Sequence, residues 1–278
     1  MPELFTIQTG AAPLIVNMPH AGTVLPPALE TRLTEAGRAM PDTDWHVEKL
    51  YKFVSALDVT LMCATHSRIV VDLNRDPAGT VLYAGASNTE ICPTSTFSEA
   101  PIYIAGQQPQ ADEIEARIDQ YWRPYHQRLQ SEVNRIKAHY GYCILIDAHS
   151  IASRVPRFFS GKLPDLNLGT ADGRSCDSSL AAQTFSLMQS MQEFTAVQNG
   201  RFKGGYITRH YGRPEENVHA LQLELAQSCY MDESRPHEFN AQQAAPLVRL
   251  LKNWIEQVCC WKPPGSVLIQ KKINSPYG

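Results

Sequence analysis

The sequence predicts an α/β fold in which helices cover both faces of one mostly parallel, mixed sheet. Apolar runs of strand length occupy 13–18, 59–65, 68–73, 142–147, 194–197 and 218–226. Segments with helical periodicity occupy 27–38, 44–57, 109–139, 177–192 and 241–260. Strands separated by helices favour parallel pairing in a three-layer α/β/α arrangement. The 278 residues contain no internal repeat and no linker, which favours a single domain over 1–278.

The spacing of apolar residues distinguishes the helices from the strands. Segment 44–57 begins with Asp44, a residue type that caps helices, and apolar side chains then recur at helical spacing at Val47, Leu50, Tyr51 and Val54. Segment 109–139 carries a similar apolar stripe and is polar elsewhere, so it is predicted to be an outer amphipathic helix. In 218–226, leucines alternate with polar residues, which is the period of a strand.

Bulk properties exclude several classes of protein. The formal net charge is -3 and there is no block of like charge, so no nucleic-acid or anionic-membrane surface is indicated. No stretch approaches the roughly 20 apolar residues that span a bilayer, and the N-terminal region lacks the pattern of a signal peptide. The seven cysteines are odd in number and show no Cys-x-x-Cys spacing, which predicts buried free thiols and a cytoplasmic location.

Two histidines follow apolar runs that lie far apart in the chain. Pro19 separates the first run from His20, and Asp147-Ala148 precede His149 at the end of another. In open α/β sheets, ligands bind beyond the carboxyl ends of the strands. Two imidazoles there predict a metal site, because a catalytic zinc needs three protein ligands and one open position. For either histidine alone, a structural hydrogen bond would be the simpler interpretation.

A third ligand should be a carboxylate or another imidazole, and segment 42–46 supplies candidates. Asp44 stands where a predicted helix begins, and it has an alternative role as the cap of that helix. Spacing leaves Asp42 and His46 as further alternatives.

Arginines flank the apolar run at 68–73. Arg68 is its first residue, and Asn74 and Arg75 follow it. The planar guanidinium can hold a carboxylate through two parallel hydrogen bonds, so this cluster suits an anionic substrate. The alternative is that both arginines lie on the surface and pair with Asp72 and Asp76.

Glu224 lies within the alternating strand at 218–226, on the side opposite Leu221, Leu223 and Leu225. It is a candidate general base facing a cleft, and the alternative is an exposed glutamate on an edge strand. Other chemistries lack their motifs. The sequence has no Gly-x-Ser-x-Gly nucleophile elbow, and Gly204-Gly205 is not part of a phosphate-binding loop.

Taken together, these motifs resemble the N-formylglutamate amidohydrolase (N-formylglutamate deformylase) family. The resemblance runs from about Pro13 to Asp232, with the motifs in the family's order. They are Pro19-His-Ala-Gly22, Asp42-Thr-Asp-Trp45, Ser67-Arg-Ile-Val-Val-Asp-Leu-Asn-Arg75, Asp147-Ala-His-Ser150, Phe159-Ser-Gly-Lys-Leu-Pro-Asp-Leu-Asn-Leu-Gly-Thr170 and Leu221-Gln-Leu-Glu-Leu225. The family is similar in turn to zinc carboxypeptidases and aspartoacylases, which implies a zinc-carboxypeptidase-like fold.

In those relatives, a His-x-x-Glu pair and a later histidine hold zinc. The resemblance implies that His20 and His149 are metal ligands. Thr23 stands where the relatives have the ligand glutamate, so the carboxylate ligand must come from elsewhere, and we assign it to Asp44.

Further roles are implied by the same resemblance. Glu224 would be the base, Arg68 would polarise the scissile carbonyl, and Asn74-Arg75 would grip a substrate carboxylate. N-Formylglutamate carries a second carboxylate, for which we predict Arg209 or Arg213. Asp147 has two open roles, as a partner that orients an imidazole or as a structural hydrogen-bonding group.

The implied reaction is the zinc-dependent hydrolysis of N-formyl-L-glutamate to formate and L-glutamate, a step of histidine degradation. One alternative is a zinc-dependent deacylase of another N-acyl amino acid. Another is a non-catalytic small-molecule binding protein on the same fold. The long loop 151–176 is predicted to be a lid or a substrate-contact loop, and the sequence does not set an oligomeric state.

Overall fold

A computed structural model describes residues 3–80 and 87–264. Its strands form one sheet in the order β1-β3-β2-β4-β7-β5-β6. They are β1 (Phe5–Gln8), β2 (Leu14–Met18), β3 (Thr60–Ala64), β4 (Cys143–Ile151), β5 (Leu166–Gly169), β6 (Ala196–Gln198) and β7 (Val218–Ala226). The α-helices are α1 (Pro27–Glu30), α2 (Glu35–Arg38), α3 (Val47–Leu50), α4 (Ala111–Arg117), α5 (Arg123–Tyr140), α6 (Ser178–Ser190), α7 (Tyr206–Tyr211) and α8 (Ala241–Cys260).

The centre of the sheet is parallel, because β3, β2, β4 and β7 all run in the same direction. Strand β1 pairs antiparallel with β3 at one edge, and β5 pairs antiparallel with β7 near the other. The predicted mixed, mostly parallel sheet is therefore confirmed. The carboxyl ends of β2, β4 and β7 lie side by side, which is where parallel sheets bind ligands.

Apolar side chains from both faces of the sheet form two cores. In β2, Leu14, Val16 and Met18 face the core that α3, α6 and α8 cover. Ile15 faces the other core, which α5 and α7 cover. Alternate strand residues point to opposite faces, so a strand covered on both sides becomes apolar throughout. Helices therefore cover both faces of the sheet, which confirms the predicted three-layer arrangement.

The segment 68–73 is not a strand, so that prediction is wrong. Its backbone folds into turns, in which the Val70 N–H donates to the Ser67 carbonyl at 2.9 Å. Ile69 and Val70 pack into a small separate cluster, whereas Val71 packs into the core that α5 and α7 cover. An apolar run indicates that its side chains are buried, but it does not show that the backbone pairs in a sheet. Here the side chains are buried by tertiary packing alone.

Short elements and helix breaks also differ from the prediction. Strands β1 and β5 and helix α7 were not predicted, and β5 divides the expected loop 151–176. Segment 27–38 forms two one-turn helices, and 44–57 forms α3 followed by a 3₁₀ segment. Between α4 and α5 the helix widens into a π turn at Ile118–Trp122. The proline next in α5, Pro124, has no N–H for a regular helical bond.

Helix α8 spans the predicted 241–260. All seven cysteines carry free thiols, as predicted, but only Cys92, Cys143 and Cys176 are buried, and Cys260 is exposed. Across 3–80 and 87–264, no helix is both long enough and apolar enough to cross a bilayer.

Candidate metal and active site

Neighbouring strand ends and one loop bring His20, Asp44 and His149 together. Because β2 and β4 are adjacent and parallel, the residues at their carboxyl ends share one edge of the sheet. The loop before α3 is tied to this edge by a 3.1 Å hydrogen bond from the Asp44 N–H to the His20 carbonyl. All three side chains are buried, and one ligand atom from each lies within 4.8 Å of the others. The two predicted histidines therefore meet at one site with a carboxylate.

Each imidazole is oriented by an aspartate behind it. His20 Nε2 lies 2.7 Å from Asp72 Oδ1, and His149 Nε2 lies 3.1 Å from Asp147 Oδ2. Since a carboxylate only accepts hydrogen bonds, the Asp72 contact places the ring proton of His20 on Nε2, whereas His149 has a carboxylate within hydrogen-bonding distance of each ring nitrogen. Both Nδ1 atoms then face Asp44 Oδ2, at 3.8 Å from His20 and 2.9 Å from His149. The sequence prediction included Asp147 but considered Asp72 only as a partner of arginines.

The two imidazoles differ in how readily they hold a proton. Burial and the nearby Arg68 cation lower the pKa of His20. Burial also disfavours the charged form of His149, but Asp147 and Asp44 outweigh it and raise its pKa well above the ordinary value. A metal cation between Asp44 and His149 Nδ1 would take the place of the proton that the carboxylates hold on His149, because metal ligands must be deprotonated. The donor set of two imidazoles and one carboxylate fits zinc.

The alternatives for the third ligand point away from the histidines. Asp42 Oδ2 accepts a 2.9 Å hydrogen bond from the Phe97 N–H. His46 adopts a left-handed conformation just before α3, and its Nε2 lies 2.9 Å from the Pro236 carbonyl. Asp44 does not cap this helix, because α3 begins only at Val47. The structure thus brings Asp44, of the three candidates, to the imidazoles.

Glu224 lies beside His149 on the adjacent strand. Strand β7 is internal to the sheet and pairs Glu224 in register with His149, so the alternative of an exposed glutamate on an edge strand is wrong. Its side chain lines the cleft and the residue is only 7% exposed. Gln222 Nε2 donates to Glu224 Oε2 at 3.2 Å. Burial is the main cause that raises the pKa of Glu224, to about 8.

Arg68 lines the same cleft from a turn. Its Nη2 donates to Asp72 Oδ2 at 2.6 Å, and its guanidinium carbon lies 4.8 Å from the centre of the Phe97 ring. Its Nε is buried and has no hydrogen-bond partner among the described residues. Asp72 therefore connects His20 to Arg68, and the arginine retains a donor that a ligand can satisfy.

Asn74 and Arg75 both line the cleft but differ in their contacts. Asn74 Oδ1 accepts a 2.7 Å hydrogen bond from the Ile207 N–H, and its Nδ2 donates to Asp147 Oδ2 at 3.0 Å. These bonds make Asn74 a support for Asp147. Arg75 Nη2 donates to Thr89 Oγ1 at 2.8 Å and stays at the cleft wall. The structure is thus compatible with substrate contact by Arg75 and with a positioning role for Asn74.

The structure does not bring Arg209 or Arg213 to this cleft. Arg209 donates to the Gly204 carbonyl at 2.8 Å and lines a separate depression with Arg174. Arg213 pairs with Glu216 at 3.4 Å on the surface. Within 3–80 and 87–264, neither arginine contributes to the cleft wall, so their predicted contact with substrate is not supported. Both follow Gly204-Gly205 in sequence, but Arg209 lies in α7, Arg213 lies beyond its end, and their described contacts are outside the cleft.

The cleft has a second, outer wall that the sequence prediction missed. The cleft encloses about 590 Å³, including its open mouth. Its outer wall consists of Ser87, Asn88, Phe158, Arg201 and Phe202, which come from three loops. Phe158 lies in the loop 151–176, which was predicted to be a lid or a substrate-contact loop, and its side chain lines the cleft. In the sequence, Arg201 stands just before Gly204-Gly205 and Arg209 just after them. No local pattern shows which of the two arginines reaches the cleft.

Comparison with known proteins identifies the family. The family model for N-formylglutamate amidohydrolase matches residues 12–231. The chain belongs to the N-formylglutamate amidohydrolase family. The resemblance recognised in the motifs is therefore confirmed over most of the chain.

Relatives in this amidohydrolase family extend the match to nearly the full length. The chain is 44% identical over 261 residues to an N-formylglutamate deformylase of Pseudomonas aeruginosa, covering 94% of this chain and 98% of that protein. It is 43% identical to one of Pseudomonas putida, covering 94% and 97%. A crystal structure of an N-formylglutamate amidohydrolase from Ralstonia eutropha is 28% identical, with a TM-score of 0.77 over 92% of this chain and 96% of that one.

Proposed function

We propose that this chain is a zinc-dependent amidohydrolase that converts N-formyl-L-glutamate to formate and L-glutamate, with 1–278 forming one domain. Its relatives named N-formylglutamate deformylase are 44% and 43% identical over nearly their full length. The observation that carries the proposal is the meeting of His20, Asp44, His149 and Glu224 in one cleft. That cleft also contains arginine side chains, which suit an anionic substrate.

His20, Asp44 and His149 would hold Zn²⁺, through three protein ligands that leave one position open. When bound, zinc acts as a Lewis acid and lowers the pKa of water from 15.7 toward about 7. The preference for zinc rests on the mixed nitrogen and oxygen donors and on the burial of all three residues. Asp72 and Asp147 would fix both rings for this task.

Glu224 would accept the proton of the attacking water and then deliver a proton to the leaving amine of glutamate. Its burial supports this role, because a raised pKa makes the carboxylate a stronger base. Gln222 donates to one carboxylate oxygen of Glu224, and the other oxygen would act as the base. Arg68 would stabilise the oxyanion that develops on the formyl oxygen, with its buried Nε as an available donor.

Arg75 would bind one substrate carboxylate, and Asn74 would position Asp147, which contacts His149. We also propose that the reaction serves histidine degradation in the cytoplasm. The family resemblance supports the pathway, and the seven free thiols fit a reducing compartment. Nothing in the charge pattern favours a nucleic-acid partner.

The test is an assay of formate release by the purified protein, combined with metal analysis. We expect turnover of N-formylglutamate, about one zinc per chain, loss of activity on exhaustive chelation and recovery with added zinc. Full activity after chelation would contradict the zinc assignment. A panel of N-acetyl and longer N-acyl glutamates tests the deacylase alternative. Binding without turnover of any acyl group would favour a non-catalytic binding protein.

A further inference from the structure

Arg201 belongs to the same cleft as the metal ligands although it comes from a distant loop. Its Nε donates to the Phe158 carbonyl at 2.8 Å, and its Nη2 donates to the Ser87 carbonyl at 3.3 Å. The residue is half-buried after strand β6. These contacts hold the guanidinium at the outer end of the cleft.

Arg75 and Arg201 are attached to the same short piece of chain. Arg75 donates to the Thr89 carbonyl at 3.2 Å, and Arg201 donates to the Ser87 carbonyl, two residues earlier. Two residues of extended chain span at most about 7 Å. The two cations therefore line one wall of the cleft, each bonded to a carbonyl of the same three-residue segment.

The two arginines differ in their distance from the reacting centre. Arg75 follows Asn74, whose Nδ2 lies 2.9 Å from His149 Nε2, and Arg75 itself lies 3.9 Å from Asp72 Oδ2. The described contacts of Arg201 are instead with the loops at Ser87 and Phe158. In an N-formyl amino acid, the α-carboxylate is one carbon away from the formamide nitrogen, whereas the side-chain carboxylate is farther away.

Aromatic rings surround the Arg201 guanidinium. Its central carbon lies 5.5 Å from the ring centres of both Phe158 and Phe202. Rings beside a cation exclude water and strengthen its attraction for an anion. They also provide apolar surface for a short methylene chain. A methylene chain that ends in a carboxylate is the side chain of glutamate.

Resting on the proposed function, we infer that Arg201 binds the side-chain carboxylate of the substrate while Arg75 binds the α-carboxylate. The ligand class is therefore an N-acylated dicarboxylic amino acid. This assignment gives the second substrate carboxylate to Arg201 instead of Arg209 or Arg213. It makes Arg201 a residue that determines specificity, since it would take no part in bond cleavage.

The test compares Arg201→Gln with the unmodified protein on N-formylglutamate and N-formylglutamine. The second compound has the same shape but carries a neutral amide in place of the side-chain carboxylate. We expect kcat/KM for N-formylglutamate to fall about 10- to 100-fold, mainly through KM, because a charge-assisted contact is lost. For N-formylglutamine we expect a change of less than about threefold. Equal losses on both compounds, or no loss on either, would overturn the assignment.

Controls separate this assignment from folding and from the proposed function. Arg209→Gln removes an arginine outside the cleft and should leave kcat/KM unchanged for both compounds. Wild-type turnover of N-formylglutamate tests the proposed function by itself. Calorimetric binding of both compounds to Glu224→Gln, with and without Arg201→Gln, tests the assignment independently of turnover. Unchanged affinity for N-formylglutamate in the double variant would contradict it.

Discussion

The two ends of the cleft are built differently. At the inner end, His20, Asp44 and His149 are 3%, 2% and 3% exposed, and buried aspartates fix both rings. At the outer end, Phe158 and Arg201 are half-buried and come from loops. Strand ends hold groups rigidly, whereas loops can change with less effect on the core. Under the proposed function, the inner end carries out the chemistry and the outer end selects the substrate.

Glu224→Gln provides the largest expected effect. The variant keeps the shape of the side chain but removes the base, so kcat should fall by about 10²–10⁴-fold. Metal content should be unchanged, because Glu224 is not one of the three candidate ligands. Steady-state kinetics and metal analysis measure the two quantities, with the exposed Glu216→Gln as control. Retained turnover would show that Glu224 is not the general base.

Arg75→Gln tests where the inner end meets the outer wall. We expect kcat/KM to fall about 10- to 100-fold for both N-formylglutamate and N-formylglutamine, since both retain the α-carboxylate. Arg75→Lys should recover only part of the loss, because an ammonium lacks the planar fork. The KM and the melting temperature are to be measured together. A loss confined to N-formylglutamate would show that Arg75 and Arg201 have been assigned in the wrong order.

Asp147→Asn tests how the inner end is held rigid. The carboxylate accepts from Asn17 and Asn74 at 3.0 Å each, and it contacts His149. Removing its charge should weaken zinc affinity about 10- to 100-fold, the usual effect of losing a partner of a ligand imidazole. Competition with a chelator of known affinity measures this, with Asp232→Asn on the surface as control. Unchanged affinity would indicate that Asp147 has a purely structural role.

His126→Gln gives the smallest effect and concerns the packing behind the site. His126 Nε2 donates to the Leu73 carbonyl at 2.8 Å, and burial lowers its pKa to about 3. As pH falls from about 6.5, the unfolded chain binds a proton that the folded chain excludes, so the free energy of unfolding decreases. The slope from this group is at most about 1.4 kcal/mol per pH unit.

Urea unfolding between pH 7 and pH 5 measures that slope. His126→Gln should reduce it, because glutamine can still donate to Leu73 but does not titrate. His139→Gln on the exposed side of α5 should leave it unchanged. Equal slopes in all three proteins would show that His126 does not control acid stability.

Much of the inner end could be predicted from the sequence. The apolar runs at β2 and β4 indicate two-sided burial, and they put His20 and His149 near strand ends. The alternation of Leu221, Leu223 and Leu225 sets the side of the sheet on which Glu224 lies. These are local signals, because strand periodicity depends only on neighbouring residues.

The sequence did not determine contacts between distant segments. Asp44 meets His149 across 105 positions, and Asp72 meets His20 across 52. Segment 68–73 is as apolar as a strand, yet packing folded it into turns. The choice of Arg201 over Arg209 was also made by loop packing. The sequence by itself thus determined the central strands β2, β4 and β7, the positions of the two histidines near the ends of β2 and β4, and the side of the sheet on which Glu224 lies. The tertiary structure decided the third ligand, the supporting aspartates and the outer wall, because these depend on which loops meet in space.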